Sequence, residues 1–325
     1  MHNKRHCAAL CLYFFPTMKK IHFFLIASLT VFSLGLASCS KDDASDQDAI
    51  ASEEPDLPVV GFDENGASLF LFSVGEGVLV RFSRGNLQYQ AASNVWRFAE
   101  HQYDCAGLDN EQISATYNGW IDLFGWGTSG WNSGANVYQP WSVSTDNTDY
   151  YVGGSSQGGL TGMYAEADWA WHNAIQNGGN QPHQWRVLTE EEWRYLLEER
   201  PDATLKCGAA SIGGKNGMVI LPDNWVLPQG LTFSPDWSGW STNAYTKQQW
   251  SRMEAAGAVF LPAAGSRYGT LVGDVLYEGV YWSSSADDDS YVCVVRHEGY
   301  DFTPVGYDGR QNGHSASGKR YRINV

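Results

Sequence analysis

Positive charge is scarce in this 325-residue chain: 21 lysines and arginines face 36 aspartates and glutamates, a net charge of −15. Holding nucleic acid requires basic groups that displace phosphate counterions, so nucleic acid is excluded as a partner. The same shortage excludes docking on anionic lipid headgroups through a basic patch. Cysteine is sparse too. Beyond Cys39 there are only Cys105, Cys207 and Cys293, widely separated, and Cys293 sits between Val292 and Val294 as a buried, inert thiol would. Export permits one disulfide among the three, and spacing does not choose the pair. His101, His172, His183, His297 and His314 lack metal-ligand spacing, so no metal or other cofactor is expected. Long periodic apolar runs are few, whereas the 35 glycines imply many short strands and turns.

What is present near the N-terminus is an export signal. Met18-Lys19-Lys20 is a basic start, Ile21 to Leu36 an apolar stretch interrupted by His22, and Leu36-Ala37-Ser38-Cys39 places small residues before a cysteine. A membrane-spanning helix would need a longer apolar run and a basic stop-transfer flank. The pattern resembles bacterial lipoprotein signals, which implies lipidation of Cys39. Residues 1–38 are therefore read as a signal region with its start at Met18, residues 39–66 as a lipidated acidic tether, and residues 67–325 as the folded domain. Removing residues 1–38 leaves 17 basic against 36 acidic residues, nine of the acids lying between Asp42 and Glu64. Ser40-Lys41-Asp42-Asp43 resembles surface-export signals of outer-membrane lipoproteins. The expected location is the outer membrane, lipid-anchored and surface-exposed.

The folded part reads as one domain, because all 14 tryptophans lie between Trp96 and Trp282 and no linker divides that span. Three helices are expected. Ala165 to Gln176 precedes Asn177-Gly178-Gly179; Thr189-Glu190-Glu191-Glu192 opens a capped helix presenting Trp193, Leu196 and Leu197; Thr246-Lys247-Gln248-Gln249 opens another presenting Trp250 and Met253 and ending at Gly257. Strands are expected at 78–82, 86–89, 96–98, 217–222, 258–262, 279–285 and 291–296. The class is α+β.

Six phrases occurring in order carry a family resemblance: Phe82-Ser83-Arg84-Gly85-Asn86-Leu87-Gln88-Tyr89, Trp120 to Gly130, Trp185-Arg186-Val187-Leu188-Thr189, Val219 to Trp225, Phe260 to Gly265 and Tyr281-Trp282-Ser283-Ser284-Ser285. Together they resemble bacterial surface lipoproteins related to the major paralogous domain, similar to the C-type lectin-like fold of the formylglycine-generating-enzyme branch. The resemblance spans roughly residues 70–315. It implies a single α+β C-type lectin-like domain with short strands, two or three helices and long loops, and no particular activity. Some members are retroelement-diversified binding proteins that vary residues near the C-terminus. The chain departs from the family after Gly313, where Lys319-Arg320-Tyr321-Arg322-Ile323-Asn324-Val325 replaces the usual closing strand.

The expected binding face comprises Asp287, Asp288, Asp289, Ser290, Tyr291, His297, Tyr300, Asp301, Tyr307, Asp308, Gln311 and Asn312, anchored by Tyr281 and Trp282. Tyrosines supply rigid contact area and short polar residues supply adaptable hydrogen bonds, the composition of a recognition surface for a protein or a glycan. Catalysis is not expected. The resemblance suggests thiol chemistry, but no close cysteine pair supports it. Gly154-Ser155-Ser156-Gln157-Gly158 lacks the strand and helix of a nucleophile elbow, and Gly125 to Gly130 lacks the βαβ unit of a dinucleotide site. Partial lectin motifs at Gln181-Pro182-His183 and Trp131-Asn132-Ser133 lack the carboxylates a calcium ion needs. Two rival readings are a structural or adhesive surface subunit and a formylglycine-generating-type enzyme.

Overall fold

A computed structural model describes residues 60–287 and 291–321, without the Tyr321 side chain. The expected signal region, Cys39, most of the expected tether, Asp288, Asp289, Ser290 and residues 322–325 lie outside the described residues. The described part is α+β: short sheets dominate and helices are few.

Strand β1 (Phe72–Gly75) turns into β2 (Val78–Gln90), against which β3 (Val95–Phe98) runs antiparallel. The two short strands expected between Val78 and Tyr89 are one strand. Gly85 lets the chain continue there, since a Cβ at that point would lie 2.8 Å from the Ala99 carbonyl oxygen, and the Ser83 hydroxyl donates to the Gly85 carbonyl at 2.8 Å.

The helix expected over 165–176 is not continuous. A 3₁₀ segment (Gly162–Ala167) is followed by a single turn, α1 (Trp169–His172). Asp168 causes the break: it is extended, its carboxylate accepts from the N–H of Ala170 at 2.9 Å, and the same group accepts from Val187 N–H at 2.8 Å. A residue that caps one turn while tying down a distant segment cannot also be helical.

Both capping boxes form as expected. Thr189 and Glu192 cap α2 (Glu190–Arg194), which continues as a π turn (Tyr195–Glu199) and buries Trp193, Leu196 and Leu197 before Pro201. Thr246 and Gln249 cap α3 (Lys247–Ala255), which buries Trp250 and Met253. It stops at Gly257, whose φ of 99° places it in the region glycine favours. Between these helices β4 (Cys207–Ile212), β5 (Lys215–Ile220) and β6 (Ala244–Tyr245) join β7 (Val259–Pro262) in the order β6-β4-β5-β7.

The C-terminal third supplies β8 (Ser266–Tyr268), β9 (Leu271–Gly273), β10 (Glu278–Ala286), β11 (Tyr291–Glu298), β12 (Phe302–Gly309), β13 (Asn312–Gly313) and β14 (Ser317–Tyr321). β10, β11 and β12 form one antiparallel sheet; β13, β8 and β9 form another. β14 returns to pair with β2, setting Ser317 opposite Asn86 and Lys319 opposite Phe82. That pairing places residues 317–321 of the altered C-terminal segment as an edge strand of the first sheet. Lys319 is buried on the Phe82 ring, 3.7 Å from its centroid, and donates to Ser317 Oγ at 2.7 Å.

Aromatic side chains hold these layers together. Trp126, Trp169, Trp185, Trp193, Trp250 and Trp282 are each almost wholly buried. Each withdraws about 200 Å² from water, a transfer gain of roughly 5 kcal/mol before the cost of ordering the chain.

Candidate functional site

The sheet β10-β11-β12 carries the expected binding residues, and alternation along its strands decides where they point. Val280, Trp282, Val292 and Val294 enter one core, and Tyr281 and Val295 enter a second on the opposite face. With both faces of β10 and β11 covered, this sheet meets solvent at its strand ends, at the β11–β12 turn and along the half-buried edge strand β12. The nine expected residues that are described are therefore not one patch.

At one end Tyr291 and Tyr307 are exposed beside α2. Cys293, opposite Tyr307, donates its thiol to Glu190 at 2.7 Å, and Glu190 also pairs with Arg194. The Glu190 charge pushes the Tyr307 hydroxyl above its ordinary range, with burial adding to it. Asp287 is half-buried here, its N–H donating to the Tyr291 carbonyl at 2.9 Å.

Asp308 and Asn312 belong to an internal network. Asp308 accepts from Arg296 at 3.0 Å, His314 at 2.9 Å and the Asn312 amide at 2.6 Å, and Arg296 reaches on to Glu278 at 3.1 Å. Burial raises the Asp308 pKa, but His314, the Gly309 N–H and Arg296 outweigh it and bring it down to about 2. Gln311 is half-buried and folds back over Gly309, with its carbonyl oxygen unpaired.

His297 does not belong to the surface. It is fully buried, stacked 6.1 Å from Tyr281 and edge-on to Trp240 at 6.0 Å, and neither ring nitrogen has a hydrogen-bond partner. The reason is parity: His297 follows Val295 onto the second core face, while Arg296 turns the other way. Burial lowers its pKa to about 3, so the ring is neutral.

Tyr300 and Asp301 stand at the far end, on the β11–β12 turn that the Glu298 N–H closes onto the Asp301 carbonyl at 2.8 Å. Eight residues of β11 separate this end from Tyr291 by about 23 Å. Tyr300 lies against Gly239, and the Trp240 indole lies over Gly299. Here the fold makes a groove of about 470 Å³, lined by Trp240, Tyr277, Tyr300, Asp274, Glu278 and Glu298. Apart from Tyr300, none of these six is among the expected site residues. The acid-aromatic run Asp274-Val275-Leu276-Tyr277-Glu278 is visible locally, but its meeting with Trp240 is tertiary.

Elsewhere the structure adds one constellation that spacing did not show. Glu166 takes His172 Nδ1 at 2.7 Å on one oxygen and His183 Nε2 at 2.8 Å on the other. Among the described residues no group of three His, Cys, Asp or Glu is placed to hold a metal ion. The three described cysteines are unpaired. Burial pushes the Cys105 thiol up to about 12 and the Cys207 thiol up to about 11, and burial together with Glu190 raises Cys293 further still. Such thiols are poor nucleophiles.

Trp126 in the Gly125–Gly130 segment is core, while Trp131 and Trp141 are half-buried against it. A second depression of about 360 Å³ lies beside Trp141, over Tyr89 and Trp96. No helix of the described residues is long and apolar enough to cross a membrane. Comparison of the chain with protein-family models, curated proteins and solved structures returns no match.

Proposed function

We propose that the chain is a lipid-anchored protein of the outer-membrane surface whose C-type lectin-like domain binds a protein or glycan ligand without catalysing a reaction. One observation carries this reading. Among residues whose burial is described, every exposed tyrosine lies between positions 268 and 307: Tyr268 (50% exposed), Tyr277 (75%), Tyr291 (49%), Tyr300 (81%) and Tyr307 (52%). The other exposed large apolar side chains are aliphatic and spread along the chain, apart from Leu271 beside Tyr268. Tyrosine in water is wasted apolar area unless a partner covers it, and its hydroxyl keeps such a surface soluble until then.

The short strands and long loops support a lectin-like scaffold, and the raised thiol pKa values favour binding over thiol chemistry. Retroelement diversification stays part of the proposal and is tested in the flanking DNA, where a near-repeat of the segment and a reverse-transcriptase gene should lie.

Two measurements test the function. Cells fed labelled palmitate should label the chain and should not label Cys39→Ala, and protease added to intact cells should remove it. Purified full-length chain should retain glycans from an array or proteins from a surface extract, and the paired variants Tyr291→Ala/Tyr307→Ala or Tyr277→Ala/Tyr300→Ala should lose that retention at unchanged melting temperature. Retention that survives both pairs would remove the tyrosines from the function.

A further inference from the structure

The groove at the β11–β12 turn combines two kinds of wall. Trp240, Tyr277 and Tyr300 offer π faces, and Asp274, Glu278 and Glu298 offer carboxylates. Carboxylates only accept hydrogen bonds, so an anion is repelled and a sugar finds few donors for its hydroxyl oxygens. Arg296, which pairs with Glu278 of the groove, is shared with Asp308. Asp274 and Glu298 have no cationic partner among the described residues.

At Glu278 burial lifts the pKa, Arg296 and His314 pull it back, and the charges of Glu298 and Asp274 add a smaller lift. Trp240 is held by its neighbours: its indole packs on Gly299 and meets the buried His297 ring at a T-shaped angle, with centroids 6.0 Å apart. Tyr300 is backed by Gly239.

We propose that this groove binds an alkylammonium group, held by the π faces and neutralised by Asp274 and Glu298. A cation over an aromatic face gains from the ring quadrupole, and the gain grows as the site loses water. The volume of about 470 Å³ accommodates a trimethylammonium head or the end of a lysine side chain. The acidity of the whole chain steers such cations inward. The proposal names the ligand class for part of the recognition surface described above, and it rests on that reading only through Tyr277 and Tyr300.

Isothermal titration of the full chain at low salt tests it. Choline and N-acetyl-lysine methylamide are compared with their uncharged counterparts, 3,3-dimethylbutan-1-ol and N-acetyl-norleucine methylamide. The expected result is saturable binding of at least one cation with a dissociation constant near or below about 1 mM, at least tenfold tighter than its uncharged counterpart. Choline alone points to a free amine, and the lysine derivative points to a polypeptide partner; both support the site. Tyr300→Ala and Glu298→Gln alter exposed groups and should each weaken binding about fivefold at unchanged melting temperature.

Equal binding of charged and uncharged probes, or no saturation by either cation, overturns the proposal. Tyrosine-dependent retention of a partner with no cation binding would overturn it and spare the surface reading. Cation binding with tyrosine-independent retention would do the reverse.

Discussion

Trp126 and Trp282 hold each other in place through exchanged indole hydrogen bonds: Trp126 Nε1–H donates to the Ser283 carbonyl at 3.0 Å, and Trp282 Nε1–H donates to the Phe124 carbonyl at 2.7 Å. The pair ties the loop around residue 125 to β10, so the long loops gain order from a buried strand.

Replacing either tryptophan by phenylalanine should keep most of the apolar contact and strand one buried carbonyl. The expected loss is about 1–3 kcal/mol for each variant in urea unfolding. Because one clasp serves both, the double variant should lose less than the sum. Strict additivity would show that the two bonds are independent.

His297 should make the protein acid-sensitive. Below about pH 6.5 the unfolded chain protonates this imidazole, whereas the native chain keeps it neutral down to about 3. The stability conferred by the neutral ring is complete above pH 6.5 and declines as pH falls toward 3. At pH 5 the decline amounts to about 2 kcal/mol. His297→Leu should lose that much less than wild type between pH 7 and pH 5, and an identical pH dependence would refute the buried neutral ring.

Asp308 acts at lower pH and in the usual carboxylate direction. Its folded pKa lies below the unfolded value, so its contribution is present above about pH 4 and is lost as pH falls through 2. The magnitude is about 2 kcal/mol. Asp308→Asn should cost at least that at neutral pH, since Arg296 keeps only Glu278 as a counter-charge and the buried His314 loses its carboxylate partner. Ligand retention lost by this variant without any fall in stability would instead make Asp308 a contact residue.

Alkylation should separate structural from reactive thiols. In the native chain at pH 8, Cys105, Cys207 and Cys293 should be modified far more slowly than a free thiol, and all three should react after unfolding. Mass spectrometry of the labelled peptides reads the result; rapid native labelling of Cys293 would reopen the case for thiol chemistry.

Local signals were legible and tertiary ones were not. Thr189 with Glu192 and Thr246 with Gln249 mark helix starts because a cap is settled within four residues. Glycine at 257 marks a stop for the same reason. The break at Asp168 was hidden, because its cause is Val187, nineteen positions away. His297 was misplaced because a polar residue on a strand suggests an exposed face, and only the second core shows that both faces of β11 are covered. Tyr300 was expected only as a contact residue of the binding face, and its neighbours Trp240 and Tyr277 come from separate segments that no periodicity connects.

The pairing of β14 with β2 bears on when the amino-terminal sheet can close. The partner that completes β2 arrives roughly 230 positions downstream, with Lys319 entering over Phe82 and the backbone of Arg186. Contacts so distant along the chain form slowly. During synthesis the amino-terminal sheet therefore stays open until residues 317–321 emerge, which leaves the first-made strands the last to find a partner.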